Sequence, residues 1–311
     1  PVRAALDALD PTLLVLMERE IWPNLIHEAH RRGTRVAVVN GRLSPRSFSR
    51  YRLVGAFLRR VLGEVDLLLM QAPAHAARIL DLGAPASRVQ VTGNLKFDAA
   101  EAPQPSEALE NRLGPAARGH RPLFVAGSTT EGEEELVFAA FRIVLGRVPA
   151  AALVVVPRHP ERFDRVPPLA ASLGLRCVRR SALEPGGWSD EEVLLLDTLG
   201  ELASLYALAD VVFVGGSLVP SGGHNILEPA AAGRPVIVGP HMENFQEIAD
   251  QFRAAEALVQ VADARELGEE VSALLLDPSR RRELGERGRR LVEDNRGAVR
   301  RTVDALVALV A

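Results

Sequence analysis

A single cysteine, Cys177, stands in a chain of 311 residues, so no internal disulfide can form and a reducing compartment is expected. No apolar run approaches the roughly 18 residues that cross a bilayer, and no secretory signal peptide is expected at the start. The net charge is only −3, which excludes a global pull toward nucleic acid; an anionic partner has to be met by a local patch. Nor is there a His, Cys or Asp cluster at metal-ligand spacing, so no metal and no resident cofactor are expected. What remains is ordinary globular material, 47% hydrophobic and 25% charged. The length is too great for one typical core and predicts about two domains.

Short apolar runs alternate with helical stretches throughout. The pattern predicts strands at Leu13–Met17, Val36–Asn40, Leu67–Gln71 and Val89–Thr92, with helices at Trp22–Arg32, Pro45–Leu62 and Pro73–Leu82. Further strands are predicted at Leu123–Ala126, Leu153–Val156, Arg176–Arg179, Val193–Leu196, Val211–Val214, Val236–Val238 and Ala257–Val261. The later helices fall at Glu131–Leu145, Pro160–Leu173, Asp263–Leu276, Ser279–Asp294 and Ala298–Leu309, with Asp263 and Ser279 as N-caps. Such alternation builds βαβ units and parallel sheets. The expected fold is α/β, two doubly wound Rossmann-like domains with a cleft between them. They would cover residues 1–98 and 121–311, joined by a Pro- and Gly-containing linker at 99–120, with the last three helices closing the second domain. In such folds ligands sit at the carboxyl ends of the strands.

The run Gly215-Gly216-Ser217-Leu218-Val219-Pro220-Ser221-Gly222-Gly223-His224-Asn225-Ile226-Leu227-Glu228-Pro229 lies between a strand and a helical, Ala-rich stretch. A glycine-rich turn there lets backbone N–H groups, those of Gly216 and Ser217 among them, approach an anion, and the helix N-terminus adds partial positive charge. Glu228 follows Gly223 and His224 by about one helical turn, close enough to accept hydrogen bonds from sugar hydroxyls beside that anion. Together these features point to a nucleotide. The plainer reading is that the glycines serve only a tight turn.

Other stretches carry a resemblance: Glu18-Arg19-Glu20-Ile21-Trp22-Pro23-Asn24, Asn40-Gly41-Arg42-Leu43-Ser44, Gly93-Asn94-Leu95-Lys96-Phe97-Asp98, Gly127-Ser128-Thr129, Pro157-Arg158-His159-Pro160, Asp197-Thr198-Leu199-Gly200-Glu201-Leu202, and Gly239-Pro240-His241 with Asn244-Phe245. In this order, with the glycine-rich run, they resemble the 3-deoxy-D-manno-octulosonic acid (Kdo) transferases of Gram-negative lipopolysaccharide synthesis over most of the chain. Two positions depart from the family pattern: Arg19 stands where Thr is usual, and Thr130 where His often follows Gly-Ser-Thr. The resemblance also implies an upstream segment with a membrane-anchoring apolar helix and a Gly-Glu loop supplying the general base. The first domain is therefore expected to be incomplete here, and the chain as given to transfer Kdo slowly or not at all.

What the resemblance implies is a GT-B glycosyltransferase moving Kdo from CMP-Kdo to a lipid A precursor, lipid IVA, with inversion, at the cytoplasmic face of the inner membrane. A base deprotonates an acceptor hydroxyl, which attacks the anomeric carbon as CMP leaves. The departing phosphate needs positive charge or N–H donors, and the oxocarbenium-like centre gains from nearby negative charge. Glu18 and Lys96 match family residues that support the transition state; read plainly, they are a helix-N-terminal acid and a solvated loop lysine. Arg158, next to Pro157, is placed to bond a phosphate bidentately or stack on a base. The backbone of Leu199, Gly200 and Glu201 is expected to meet the nucleobase edge, although Glu201 equally suits the first turn of a helix. Asn225, Ile226, Leu227 and Glu228 complete the expected nucleotide site.

Weaker expectations attach to Ser128, whose plain role is a helix N-cap, and to His224, read as a loop-ordering residue rather than a base. Trp22 and Pro23 are read as packing and as the first position of a helix. A basic stretch supplies Arg46, Arg50, Arg52, Arg59 and Arg60 among Phe48, Tyr51, Phe57 and Leu58. It is either a solvated face on a core helix or an interfacial surface for a phosphorylated glycolipid. Two other functions stay open. A nucleotide-sugar epimerase of the same architecture would be separated by product analysis with CMP- and UDP-sugars, and a non-catalytic nucleotide-binding module by CMP affinity without turnover.

Overall fold

The computed structural model describes every residue except 105, 115–120, 185–186 and 189–191. The chain divides into two units, Pro1–Ala99 with Asn295–Ala311, and Ala100–Asp294.

The first unit is a parallel sheet of β1 (Leu13–Met17), β2 (Arg35–Gly41), β3 (Leu67–Met70) and β4 (Val89–Val91), in that order. Its helices are α1 (Val2–Leu9), α2 (Pro23–Arg31), α3 (Pro45–Arg52), α4 (Gly55–Gly63) and α5 (Pro73–Asp81). Three of them open on proline, whose fixed φ and missing N–H suit a first helical position. One face of the sheet is covered by Ile26, Leu62 and Ile79 packed on Val36, Val38 and Leu68. The other face, with Ala37, Val39, Leu67 and Leu69, packs against Ala305, Leu306 and Leu309. All of β3 is buried, as expected of a parallel strand covered on both faces.

The second unit carries seven parallel strands: β5 (Leu123–Thr129), β6 (Ala152–Pro157), β7 (Cys177–Arg179), β8 (Val193–Leu195), β9 (Val211–Val214), β10 (Val236–Val238) and β11 (Val259–Gln260). Their order is β11-β10-β9-β5-β6-β8-β7. Around them lie α6 (Glu107–Leu113), α7 (Glu133–Arg147), α8 (Val166–Ser172), α9 (Leu202–Leu208), α10 (Leu227–Ala231), α11 (Gln246–Ala254), α12 (Ala264–Leu276) and α13 (Pro278–Asp294). Phe138, Phe141 and Val144 of α7 pack with Val271 and Leu274 of α12 over Phe124, Leu153 and Phe213. A Cβ at Gly268 would sit 2.7 Å from the Ala140 carbonyl oxygen, so glycine is what lets α12 lie against α7.

Four expectations need correction. The stretch Pro45–Leu62 forms two helices rather than one, interrupted at Leu53 and Val54. Asp277, not Ser279, caps α13, accepting from the Ser279 and Arg280 amides. Within 99–120, α6 buries Leu109 and Leu113, and Arg112 donates to the Leu183 carbonyl, so this stretch packs into the second unit; residues 105 and 115–120 lie outside the described ones. Finally, α14 (Ala298–Val310) belongs to the first unit instead of closing the second.

The reason for the last difference is Asp98. Its two carboxylate oxygens accept from the Gly297 and Val299 amides, each at 2.5 Å, and so cap α14 from a distant point in sequence. Arg301 adds a bond to the Thr92 carbonyl oxygen. Asp98→Ala should therefore lower stability by about 1–3 kcal/mol and speed amide exchange over residues 298–310. Urea unfolding and hydrogen exchange check this; wild-type values in both would contradict it.

Candidate functional site

In the second unit the chain leaves β5 toward β6 on one side, while β9 lies on the other. This reversal of strand order is where open α/β sheets hold ligands, outside the carboxyl ends of the strands. Ser128 lies near the end of β5, and the loops after β6 and β9 hold Arg158 and the Gly215–Pro229 run.

The glycine-rich turn differs from expectation. The N–H groups of Gly216, Ser217 and Leu218 donate to the Glu133 carboxylate at 2.6, 3.0 and 2.9 Å. The Thr130 amide donates to it as well, at 3.1 Å. Glu133 is fully buried, and burial pushes its carboxyl pKa up against the opposing pull of these amides. The Ser217 side chain is equally engaged: its hydroxyl donates to the Val214 carbonyl oxygen and accepts from the Gly239 amide. Gly216 and Ser217 thus bind an internal anion, not the phosphate expected of them.

Ser128 is likewise not an N-cap. It lies in β5 at a left-handed φ of 56°, hydrogen-bonded to the buried Tyr206 phenol, while α7 starts at Glu133 behind Gly132.

The other nucleotide candidates divide between exposed and buried positions. Arg158 is exposed at the end of β6, with its amide on the Thr129 carbonyl oxygen, while Pro157 is buried beside it. His224 is near Arg158 and His159, whose charges join burial in lowering its pKa below the ordinary imidazole value. Its buried Nε2 has no hydrogen-bond partner among the described residues. Glu228 stands in the first turn of α10, held by the Asn225 side-chain amide at 3.0 Å, and Asn225 Oδ1 accepts from the Leu227 amide. Ile226 and Leu227 are fully buried, so neither offers surface to a ligand here. On the loop after β8, Leu199 is 81% exposed and Gly200 has open space around it. The Glu201 carboxylate is held by Arg180 and Thr198, so it shapes this loop.

The first unit gathers its motifs at the carboxyl ends of β1, β2 and β4. Glu18 follows β1 at φ 55°, a strained backbone for a residue with a side chain. Arg42 Nε lies 3.0 Å from one Glu18 oxygen, a charge contact rather than an aligned hydrogen bond, and Lys96 Nζ lies 3.8 Å from the other. Asn40 ties the motifs together, accepting from the Leu95 amide through Oδ1, while Asn94 Oδ1 accepts from the Lys96 amide. A cavity of about 20 Å³ opens beside Glu18 and Arg42, with Tyr51 and Met70 in its wall, room for a water molecule.

Sequence reasoning missed two features here. Lys96 is the only lysine among 37 basic residues, a signal the composition already held. Trp22, read as a packing residue, is 58% exposed, with its indole N–H on Glu20.

Comparisons with known proteins identify the family. The family model for 3-deoxy-D-manno-octulosonic-acid transferase (kdotransferase) matches residues 1–99, and that for glycosyl transferases group 1 matches residues 189–291. The 3-deoxy-D-manno-octulosonic acid transferase of Haemophilus influenzae is 37% identical over 97% of this chain and 70% of its own. That of Bordetella pertussis is 41% identical over 95% and 69%. The C-terminal CMP-Kdo binding domain of WaaA from Acinetobacter baumannii matches with a TM-score of 0.52 at 36% identity, covering 60% of this chain and 91% of that one. UDP-GlcNAc 2-epimerase from Neisseria meningitidis, bound to UDP-GlcNAc, matches with a TM-score of 0.62 over 99% of this chain and 79% of its own. At 14% identity that is a likeness of fold alone. Similar in sequence to curated relatives over nearly its whole length, the chain belongs to the 3-deoxy-D-manno-octulosonic acid transferase family, glycosyltransferases of GT-B architecture.

Proposed function

We propose that the chain transfers Kdo from CMP-Kdo to a lipid A precursor, lipid IVA, with inversion at the anomeric carbon. The observation that carries this reading is Glu18, fixed in a strained turn between Arg42 and the only lysine. An acceptor hydroxyl attacks the anomeric carbon while a general base takes its proton, and the bond to the CMP phosphate oxygen breaks. Positive charge then develops on the sugar and negative charge on the leaving phosphate. Glu18 suits the first and Lys96 the second. In the second unit, Arg158 and the adjacent histidines suit the phosphate, Glu228 the ribose hydroxyls, and Leu199 with Gly200 the base. Among the described residues no group of three or more His, Cys, Asp or Glu side chains is placed to hold a metal, and we propose metal-independent binding.

The two helices α3 and α4 carry exposed Arg46, Arg50, Arg52, Arg59 and Arg60 around exposed Leu53, Val54 and Phe57. Leu53, at the break between them, is 85% exposed. Apolar tips ringed by arginines suit an anionic bilayer surface, where each arginine contributes about 1 kcal/mol. No helix among the described residues is long and apolar enough to cross a membrane. We place the reaction at the cytoplasmic face of the inner membrane, where the acceptor's lipid lies.

Three outcomes follow. In calorimetry Glu228→Ala should weaken CMP binding by about 1–3 kcal/mol, and EDTA should leave wild-type affinity unchanged. Unaltered affinity in the variant, or loss of binding in EDTA, would refute the donor site. In a labelled Kdo transfer assay on lipid IVA, run with a chain extended by the upstream segment that the family resemblance implies, Glu18→Gln and Lys96→Met should each lower kcat by about 100-fold or more with CMP affinity retained. Wild-type kcat in both would refute their roles. Leu53→Asp with Phe57→Asp should reduce co-sedimentation with anionic vesicles; equal binding of variant and wild type would contradict the surface assigned here.

A further inference from the structure

The first βα turn of a doubly wound unit ordinarily receives an anion at its helix N-terminus. In the second unit that turn joins β5 to α7, and the chain's own carboxylate fills it. Glu133 opens α7 and gathers amides from two loops, Thr130 from its own turn and Gly216, Ser217 and Leu218 from the loop after β9. Gly215 makes the approach possible, since a Cβ there would lie 2.8 Å from Glu133 Oε2 and 2.5 Å from the Ser128 carbonyl oxygen. Beside it, Glu134 is also fully buried but differently employed, taking paired bonds from Arg162 and one from the Thr129 hydroxyl.

The turn held in this way reaches the candidate donor residues directly. The Gly216 carbonyl oxygen accepts from the Gly223 amide at 2.7 Å, and the His224 ring lies against Gly216. Asn225 and Glu228 follow at once. Thr130 adds a second tie through its hydroxyl to that of Ser221, at 3.4 Å.

We propose that Glu133 is a built-in anion that sets the shape of the 215–224 turn and thereby positions His224, Asn225 and Glu228 for the nucleotide-sugar donor. It is a positioning residue, not a catalytic one, and the proposal rests on the reading that the second unit binds CMP. With the turn amides occupied from within, the donor phosphate is met by the side chains of Arg158, His159 and His224. A neutral isostere cannot replace Glu133, because an NH2 group would point at backbone donors. Removing the side chain instead leaves a carboxylate-sized space with inward-facing amides.

The test is calorimetry of CMP binding to the whole chain as wild type, Glu133→Ala and Glu133→Gln, each in excess sodium formate and in sodium chloride of equal ionic strength. Both variants should bind CMP about ten-fold more weakly or worse, since amide hydrogen bonds to a charged acceptor are lost. Formate should restore most of the affinity of Glu133→Ala and none of that of Glu133→Gln. Wild-type affinity in either variant, or equal effects of formate and chloride, overturns the proposal. Amide exchange supplies a second readout: residues 216–218 should exchange slowly in wild type and fast in Glu133→Ala, then slowly again with formate. Fast exchange in wild type overturns it too. Should Glu133→Ala not fold, Glu133→Asp, which withdraws the carboxylate by one methylene, should expose the same three amides, and wild-type exchange there overturns the proposal. If wild type binds no CMP, the donor reading fails, and exchange at 216–218 alone decides whether Glu133 holds the turn.

Discussion

A fully buried carboxylate bonded to four backbone amides is the constraint on which the second unit's ligand end depends. Burying an ionised group is costly unless its hydrogen bonds are complete, and here both Glu133 oxygens are supplied. The upward push on its pKa shows that desolvation is not fully offset. Any change to Gly215, Gly216 or the start of α7 therefore alters how well that charge is compensated. The turn after β9 takes its shape from an internal anion, which leaves side chains to recognise an external one.

The first unit solves a related problem by other means. Glu18 is only part-buried, and it is held by a left-handed backbone, by Arg42 and by Lys96. Asn40, itself at φ 54°, links the ends of β2 and β4 through the Leu95 amide. Strain at Glu18 and Asn40 persists because these bonds over-determine the loop. Two residues of one motif then divide the work: Lys96 faces Glu18, whereas Asp98 caps α14 and ties the end of the chain to the first sheet.

Much of this was legible in the sequence. The strands Val211–Val214 and Val236–Val238 lie where their apolar runs predicted, since parallel strands buried on both faces leave a continuous apolar signal. The break at Leu53–Val54 was not legible, because both residues continue a helical pattern although they are exposed in the structure. The placement of α14 depends on Asp98, about two hundred residues away along the chain, and local periodicity cannot report it. Glu133 was invisible for another reason. An acid at a helix start ordinarily reads as a solvated partner of the helix dipole, and only the fold brings a second loop's amides onto it. Conversely, the glycines of 215–223 signalled close backbone approach correctly, but to a side chain of the same unit rather than to a phosphate.

The most direct test of this account is a crystal structure of the chain with CMP-Kdo or CMP bound. The account predicts Glu133 unmoved on the Gly216, Ser217 and Leu218 amides, with the phosphate against Arg158 and the neighbouring histidines and the ribose on Glu228. A phosphate seated on those three amides, with Glu133 displaced, would contradict it.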